Sequence, residues 1–247
     1  MSGMAEVNPV PWPEAQSMLA ETLELGSPPM QLRYEERPPT GIPHRSQSAP
    51  SVCTFFADGR SQSFYADRPA HEQCEIGAYV MGIPIEGALG DRLSQTVGWM
   101  ESIGYLAPGE AAQIPHQAKA PAGVSYGPLG AASSTPTAVL LFVAPKALMW
   151  VYEAYRRAWP QAPPIPVLGR PMCSIVPVLT QGTPLAISTG CAGSRVYTQM
   201  KDSELLVGLR GDAVAPFVEA LRTIRAANRD VTRENERRRN SGSAPAQ

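Results

Sequence analysis

Apolar residues recur with helical spacing in some segments of this chain and form short uninterrupted runs in others. The run Ala138–Val143 lies between turn-forming residues and is typical of a strand buried on both faces. Helical spacing predicts helices over 11–25, 89–103, 146–159 and 213–229. Shorter apolar or alternating segments predict strands over 30–34, 63–66, 175–179, 185–189 and 204–209, while residues 53–56 fit either a short helix or a strand.

The arrangement of these segments predicts an α/β (mixed α+β) fold. Helices and strands alternate early and strands cluster late, which favours a single compact domain with a mixed sheet flanked by helices. Proline (26) and glycine (21) are abundant, so we expect long irregular connections. The longest of them, 108–136, is predicted to pack poorly and to act as a lid or a partner arm. In the helix over 89–103, the side chains predicted to be buried are Leu93, Val97, Trp99, Met100 and Ile103.

Both ends of the chain are predicted to lie outside the folded domain. We expect residues 1–10 and 231–247 to be disordered, and residues 11–230 to form the domain. The C-terminal segment carries mixed Arg and Glu residues and then Ser, Gly, Ala and Pro, a composition typical of a frayed helix end followed by a solvated tail.

Composition and charge exclude several functional classes. The chain has 247 residues, of which 43% are hydrophobic, and a net charge of -1, which argues against a nucleic-acid partner. No apolar run is long enough to span a bilayer, and the first residues lack the basic and apolar regions of a signal peptide. We therefore expect a cytoplasmic protein with no membrane partner. No phosphate-binding glycine motif is present, so no nucleotide cofactor is expected.

Four cysteines are the candidate metal ligands of this chain: Cys53, Cys74, Cys173 and Cys191. A reducing cytoplasm disfavours disulfides, and thiolates are the ligands that iron–sulfur clusters require. None of the four lies in a C-x-x-C pair, so the local signature of a metal site is missing. The spacing within the first pair is close to that within the second, which is the only trace of an internal repeat. The alternative interpretation is four small buried apolar side chains.

The stretch Gly-Cys-Ala-Gly-Ser-Arg at 190–195 is the candidate substrate site. Its glycines let a turn expose backbone N–H groups, and Arg195 supplies a planar set of donors for an acidic group. We therefore predict that substrate contacts Gly193, Ser194 and Arg195. The predicted catalytic residues are Cys191, Arg195 and His71. His71 is included as a base because it lies three residues before Cys74, where one helix face would carry both side chains. The other candidate bases are His44, His116 and Glu204.

Taken in order, several of these pieces resemble one known family. They are Ser-Val-Cys at 51–53, Cys-Glu-Ile-Gly at 74–77, Pro-Met-Cys at 171–173, the 190–195 stretch and Asp-Ser-Glu-Leu at 202–205. Over about 20–214, the chain resembles the uncharacterised ArCR family, a domain of unknown function numbered 169. The resemblance implies a soluble single-domain fold and supports the map of the site more than its chemistry.

Three functional hypotheses remain open at this point. The leading hypothesis is an enzyme whose cysteines bind a metal centre, an iron–sulfur (4Fe-4S) cluster. It would perform a non-redox lyase- or hydrolase-type step on a small organic substrate. This substrate would be acidic if Arg195 binds it. The second is a metal-free enzyme that uses Cys191 as nucleophile or proton carrier. The third is a non-catalytic module that binds or senses a small molecule. The expected partner is a small molecule in each case, and a homo-oligomer is left open.

Overall fold

Helices cover both faces of one eight-stranded sheet in this protein. The structure is a computed structural model that describes residues 10–119, 121–198 and 200–242. Within these residues the strands are β1 (Met30–Glu35), β2 (His44–Arg45), β3 (Phe64–Asp67), β4 (Gly123–Pro128), β5 (Ala138–Val143), β6 (Val167–Leu168), β7 (Leu185–Ser188) and β8 (Leu205–Arg210). The helices are α1 (Trp12–Thr22), α2 (Val52–Asp58), α3 (Arg68–His71), α4 (Glu75–Val80), α5 (Gly87–Ser102), α6 (Ala147–Ala158), α7 (Ile175–Thr180), α8 (Ala192–Tyr197) and α9 (Val214–Gly242).

The sheet consists of two halves with the same strand order. Across the sheet the strand order is β2-β3-β4-β1-β5-β8-β7-β6. When the four strands of each half are numbered along the chain, both halves have the order first, fourth, third, second from the centre of the sheet outward. In each half the two outermost strands are parallel and the other pairs are antiparallel. The halves join through the antiparallel pair β1 and β5. The chain therefore folds as two topologically equivalent units. The cysteine spacing alone indicated only a trace of such a repeat.

The central strand β5 is buried on both faces, as its sequence predicts. Leu140 and Phe142 pack into one core with side chains of α2 and α7. Leu141 and Val143 pack into a second core, which α1, α6 and α9 cover. An uninterrupted apolar run is therefore required, because no residue of this strand reaches water. The predicted mixed sheet flanked by helices in a single α/β domain is confirmed.

Two segments differ from their predicted structure. The region 108–136, predicted to be irregular, contains β4, which lies between β1 and β3 and is almost entirely buried. Residues 175–179 form the helix α7 instead of a strand. Their Ile and Val residues favour strands intrinsically, but here Ile175 packs against Gly208 of β8 together with Leu179, one helical turn later.

The predicted disordered tail is helical as far as the structure describes it. α9 continues to Gly242, whereas residues 1–9 and 243–247 lie outside the described residues. The extension carries pairs of opposite charge spaced one helical turn apart, in which Arg237 and Arg238 both contact Glu234 and Arg233 contacts Asp230. Such pairs stabilise an exposed helix, and they account for the missed extension.

Helix α5 is less buried than predicted. Trp99 and Ile103 are 58% and 56% exposed, while Leu89 is 7% exposed and packs with Ala78 and Ile83. The apolar spacing correctly predicted the helix but assigned too much of its surface to the core. Most of its inner face lines a cavity and does not pack against the core.

This exposure leads to a stability prediction. Leu89→Ala should lower the free energy of unfolding by about 2 kcal/mol or more because it leaves a cavity among buried side chains. Trp99→Ala should change it by less than about 0.5 kcal/mol, since most of the indole already contacts water. Urea unfolding at neutral pH measures both variants, and equal losses would contradict the described placement of α5.

Candidate functional site

A pocket of about 780 Å³ lies between α5 and the helices of the first core. All four cysteines line it, although they come from four separate segments of the chain. Cys53 and Cys173 are buried, whereas Cys74 and Cys191 are half-buried. The rest of the lining is mainly apolar and includes Leu93, Val97 and Met100 of α5. The convergence of the cysteines, which the sequence suggested only through their number, is therefore a property of the fold.

Each cysteine lies where a helix begins. Cys53 is in the first turn of α2, and Cys173 is in a 3-10 turn directly before α7. Cys74 and Cys191 occupy the residue immediately before α4 and α8, respectively. In both halves of the sheet, one cysteine follows the outermost strand and the other follows the next strand. The similar spacing within the two pairs thus reflects equivalent positions in two equivalent units.

Hydrogen bonds orient two of the thiols. The Ser51 hydroxyl accepts the N–H of Cys53 at 3.2 Å and lies 3.7 Å from the Cys74 sulfur, to which it can donate its own proton. The Cys191 sulfur accepts the N–H of Ser194 at 3.4 Å, and the Ser194 hydroxyl accepts the N–H of Cys191 at 2.8 Å. Such donors to sulfur tune the properties of a bound iron–sulfur cluster.

Burial strongly affects two of the thiols. It raises the pKa of Cys53 to about 12 and raises the pKa of Cys173 well above its ordinary value. The other three thiols raise the pKa of Cys173 further, because negative charges on neighbouring sulfurs would repel one another. Cys53 and Cys173 are therefore protonated when nothing is bound, which disfavours either as a free nucleophile. A bound cation reverses this preference, since a coordinating thiol loses its proton.

The arrangement of the cysteines differs from that of a site for a single metal ion. In the part of the chain that the structure describes, no group of three or more His, Cys, Asp and Glu side chains is placed to hold a metal ion. A cluster of several irons offers a different iron to each cysteine, so its ligands need not surround one point. Four thiols spread around a mainly apolar pocket fit that second arrangement in number and donor type.

Arg195 lies away from the pocket, although the sequence predicted it as the substrate anchor. Its guanidinium donates to the backbone carbonyls of Thr189, Lys201 and Glu204, and it does not line the cavity. Ser194 is completely buried and completes the cap of α8, so it also does not face the pocket. Of the three predicted substrate contacts, Gly193 alone lines it. The structure gives Arg195 and Ser194 a supporting role in this turn.

His71 is likewise separated from the site. It is the last residue of α3, whereas Cys74 precedes α4, so the two do not share a helix face. Its Nδ1 donates to the Asp67 carbonyl at 2.7 Å, and its Nε2 lies 3.0 Å from the Tyr126 hydroxyl, which can donate to it. Burial lowers the pKa of His71 to about 4. A neutral imidazole with both nitrogens engaged is a structural group here.

Glu75 and Arg170, two of the charged residues that line the pocket, were missed by sequence reasoning. Glu75 lines the cavity beside Cys74, and its Oε1 accepts a hydrogen bond from Thr96 at 2.6 Å. Arg170 also lines the cavity and lies just ahead of the turn that carries Cys173. Both are sequence neighbours of predicted ligands, and that proximity is the signal that could have identified them.

The fold and site define this chain as a two-unit α/β protein whose helix starts place four cysteines around one pocket. Comparison with protein families identifies the family of this chain. The family model described as Uncharacterised ArCR (DUF169) matches residues 18–220, so the chain belongs to this family, as its motifs predicted. No curated protein and no solved structure matches the chain.

None of the described helices is both long enough and apolar enough to cross a membrane.

Proposed function

We propose that the four cysteines bind an iron–sulfur cluster of the 4Fe-4S type, and that the protein is an enzyme performing a non-redox lyase- or hydrolase-type step on a small organic substrate. The observation that carries this proposal is the meeting of Cys53, Cys74, Cys173 and Cys191 in one pocket. Four cysteines scattered for packing reasons alone would have no cause to occupy equivalent positions in both halves and to face one cavity.

The pocket's own residues support a reaction beside the cysteines. A Lewis acid requires an iron that is not held by cysteine, so in the catalytic form of the site three of the four cysteines would hold the cluster and the fourth iron would be open to a substrate oxygen. Leu93, Val97 and Met100 of α5 form an apolar wall on one side of this space. Thr96 donates a hydrogen bond to one oxygen of Glu75, which orients this carboxylate as a candidate base for a bound molecule. These features suit a proton transfer on a molecule bound in the pocket.

A second candidate function is a non-catalytic binding module. It is favoured by the mainly apolar lining and by a volume of about 780 Å³, which lies in the range of small-molecule sites. The metal-free enzyme with Cys191 as nucleophile is less well supported, because His71 is buried outside the pocket. Of the other candidate bases, His44, His116 and Glu204 do not line the pocket, whereas the carboxylates Glu75 and Glu101 do.

The proposal also includes the compartment and the partners of the protein. We place it in the cytoplasm, because thiols that hold a cluster must stay reduced. Its partner is a small molecule, and neither a nucleic acid nor a membrane enters the proposed activity.

Metal analysis of the protein purified without oxygen tests the proposal directly. We expect iron and acid-labile sulfide at about four each per chain, as a 4Fe-4S cluster requires, with little zinc and a broad visible absorption that reduction bleaches. The measurement is iron, sulfide and zinc per chain beside the visible spectrum. A folded, colourless and metal-free protein would overturn the cluster and leave the binding module as the better candidate.

A further inference from the structure

Arg170 is the one basic side chain among the described residues that line the pocket. Its guanidinium carbon lies 4.7 Å from the centroid of the Tyr105 ring. Its Nη2 nitrogen contacts both carboxylate oxygens of Glu110 at 3.1 Å. A guanidinium carries five N–H donors in one plane, so this contact leaves several of them unused. Arg170 is therefore a positioned cation with spare donors at the edge of a mainly apolar space.

The other arginine considered for this role does not share these properties. Arg195 lies outside the pocket, and three backbone carbonyls accept its donors. Arg170, in contrast, has its positive charge balanced by a carboxylate that is 34% exposed and does not itself line the cavity. An exposed ion pair of this kind contributes little to stability, so a ligand can displace it at small cost.

Two carboxylates also line the cavity, and both already accept hydrogen bonds from the chain. Glu75 accepts from the Thr96 hydroxyl at 2.6 Å, and Glu101 accepts from the Gly109 N–H at 3.1 Å. Neither forms an ion pair with Arg170, whose guanidinium contacts Glu110. An apolar body would rest against the α5 wall while its anionic end reaches the guanidinium.

We propose that Arg170 binds the carboxylate of an apolar organic acid in this pocket, and that Glu110 competes with that ligand for the guanidinium. The inference rests on the proposed function in placing the substrate in this same cavity, and it names the substrate class. It does not depend on whether a cluster is bound. The ion pair then acts as a specificity element that exchanges an internal carboxylate for the substrate's carboxylate.

A matched pair of variants and a matched pair of probes test this role. The probes are 2-naphthoate and its neutral amide, 2-naphthamide, and equilibrium dialysis without oxygen measures their dissociation constants with the full chain. Arg170→Gln should weaken naphthoate binding about tenfold, because it removes the cation. Glu110→Gln should tighten naphthoate binding about threefold, because it removes the competitor. Both variants should bind naphthamide within about twofold of the unsubstituted protein.

The two variants should change naphthoate affinity in opposite directions, which distinguishes a ligand-binding role of Arg170 from a purely structural ion pair. If both variants weaken naphthoate equally, or if Arg170→Gln weakens the amide as much as the acid, the ion pair only shapes the pocket and the inference is wrong. Failure of the unsubstituted protein to bind naphthoate would also overturn it. Iron and sulfide are measured on the same samples. Iron-free protein with the expected naphthoate pattern refutes the cluster alone, and iron–sulfur protein without that pattern refutes the Arg170 role alone.

Discussion

Cys191→Ser should lower the iron and sulfide content of the purified protein about tenfold or more. The hydroxyl of serine is a poor ligand for an iron–sulfur cluster, whereas the thiolate of cysteine is the preferred one. The fold should survive, because Cys191 precedes α8 and its sulfur accepts the N–H of Ser194. Serine is among the favoured residues at this helix position, so the cap remains. Metal analysis and a urea unfolding curve on the same sample show whether the two effects separate.

Ser194→Ala is the matched control for that variant. It removes the hydroxyl that accepts the N–H of Cys191 and should lower the free energy of unfolding by about 1 kcal/mol, while the thiol and its metal stay. If Cys191→Ser retains full metal content, Cys191 is not a ligand. Should activity also disappear in that case, once a substrate is known, the nucleophile hypothesis would replace the cluster.

The parts of the fold that were predicted correctly are those whose sequence reflects their own surroundings. β5 is apolar throughout because both of its faces are covered. β4 was missed because its glycines are typical of loops, yet a Cβ at Gly123 would lie 2.4 Å from the Ala66 carbonyl oxygen. The close approach of β3 and β4 demands that glycine. This requirement comes from a neighbouring strand, and local pattern reasoning has no access to it.

The sequence identified the four cysteines that line the pocket, whereas it placed the candidate substrate contact at the wrong arginine. Sequence proximity to Cys191 suggested Arg195, but Arg195 lies within α8 and its guanidinium donates to backbone carbonyls. Arg170 was overlooked, although it stands close to another cysteine of the same pocket. Composition and spacing identify which residues have suitable chemistry. They do not determine which side of a helix start faces a cavity.

The two-unit architecture gives the cysteine pocket a physical origin. Each unit contributes one cysteine after its outermost strand and one after the next strand, and both pairs lie against the same core. A site shared between two equivalent units needs both to be folded and joined. The β1–β5 pairing at the centre of the sheet should therefore be as important for the pocket as the cysteines themselves.

The stability of the protein should fall by about 3 kcal/mol between pH 7 and pH 4 through His71 alone. Burial lowers the pKa of His71 to about 4 from an ordinary value of 6.5. Between these values the unfolded chain binds a proton that the folded chain does not, so falling pH favours unfolding. The contribution is fully present above pH 6.5 and decreases progressively toward pH 4. Urea unfolding at pH 7 and pH 4.5 measures the change.

His71→Gln isolates this contribution from that of the carboxylates. Glutamine can still donate and accept near Asp67 and Tyr126, but it does not titrate. We expect the variant to be less stable at pH 7 and to lose about 2 to 3 kcal/mol less on acidification than the unsubstituted protein. His116→Gln is the control, since His116 is exposed and its replacement leaves the buried imidazole in place. An unchanged pH dependence in His71→Gln would mean that the buried imidazole does not govern acid stability.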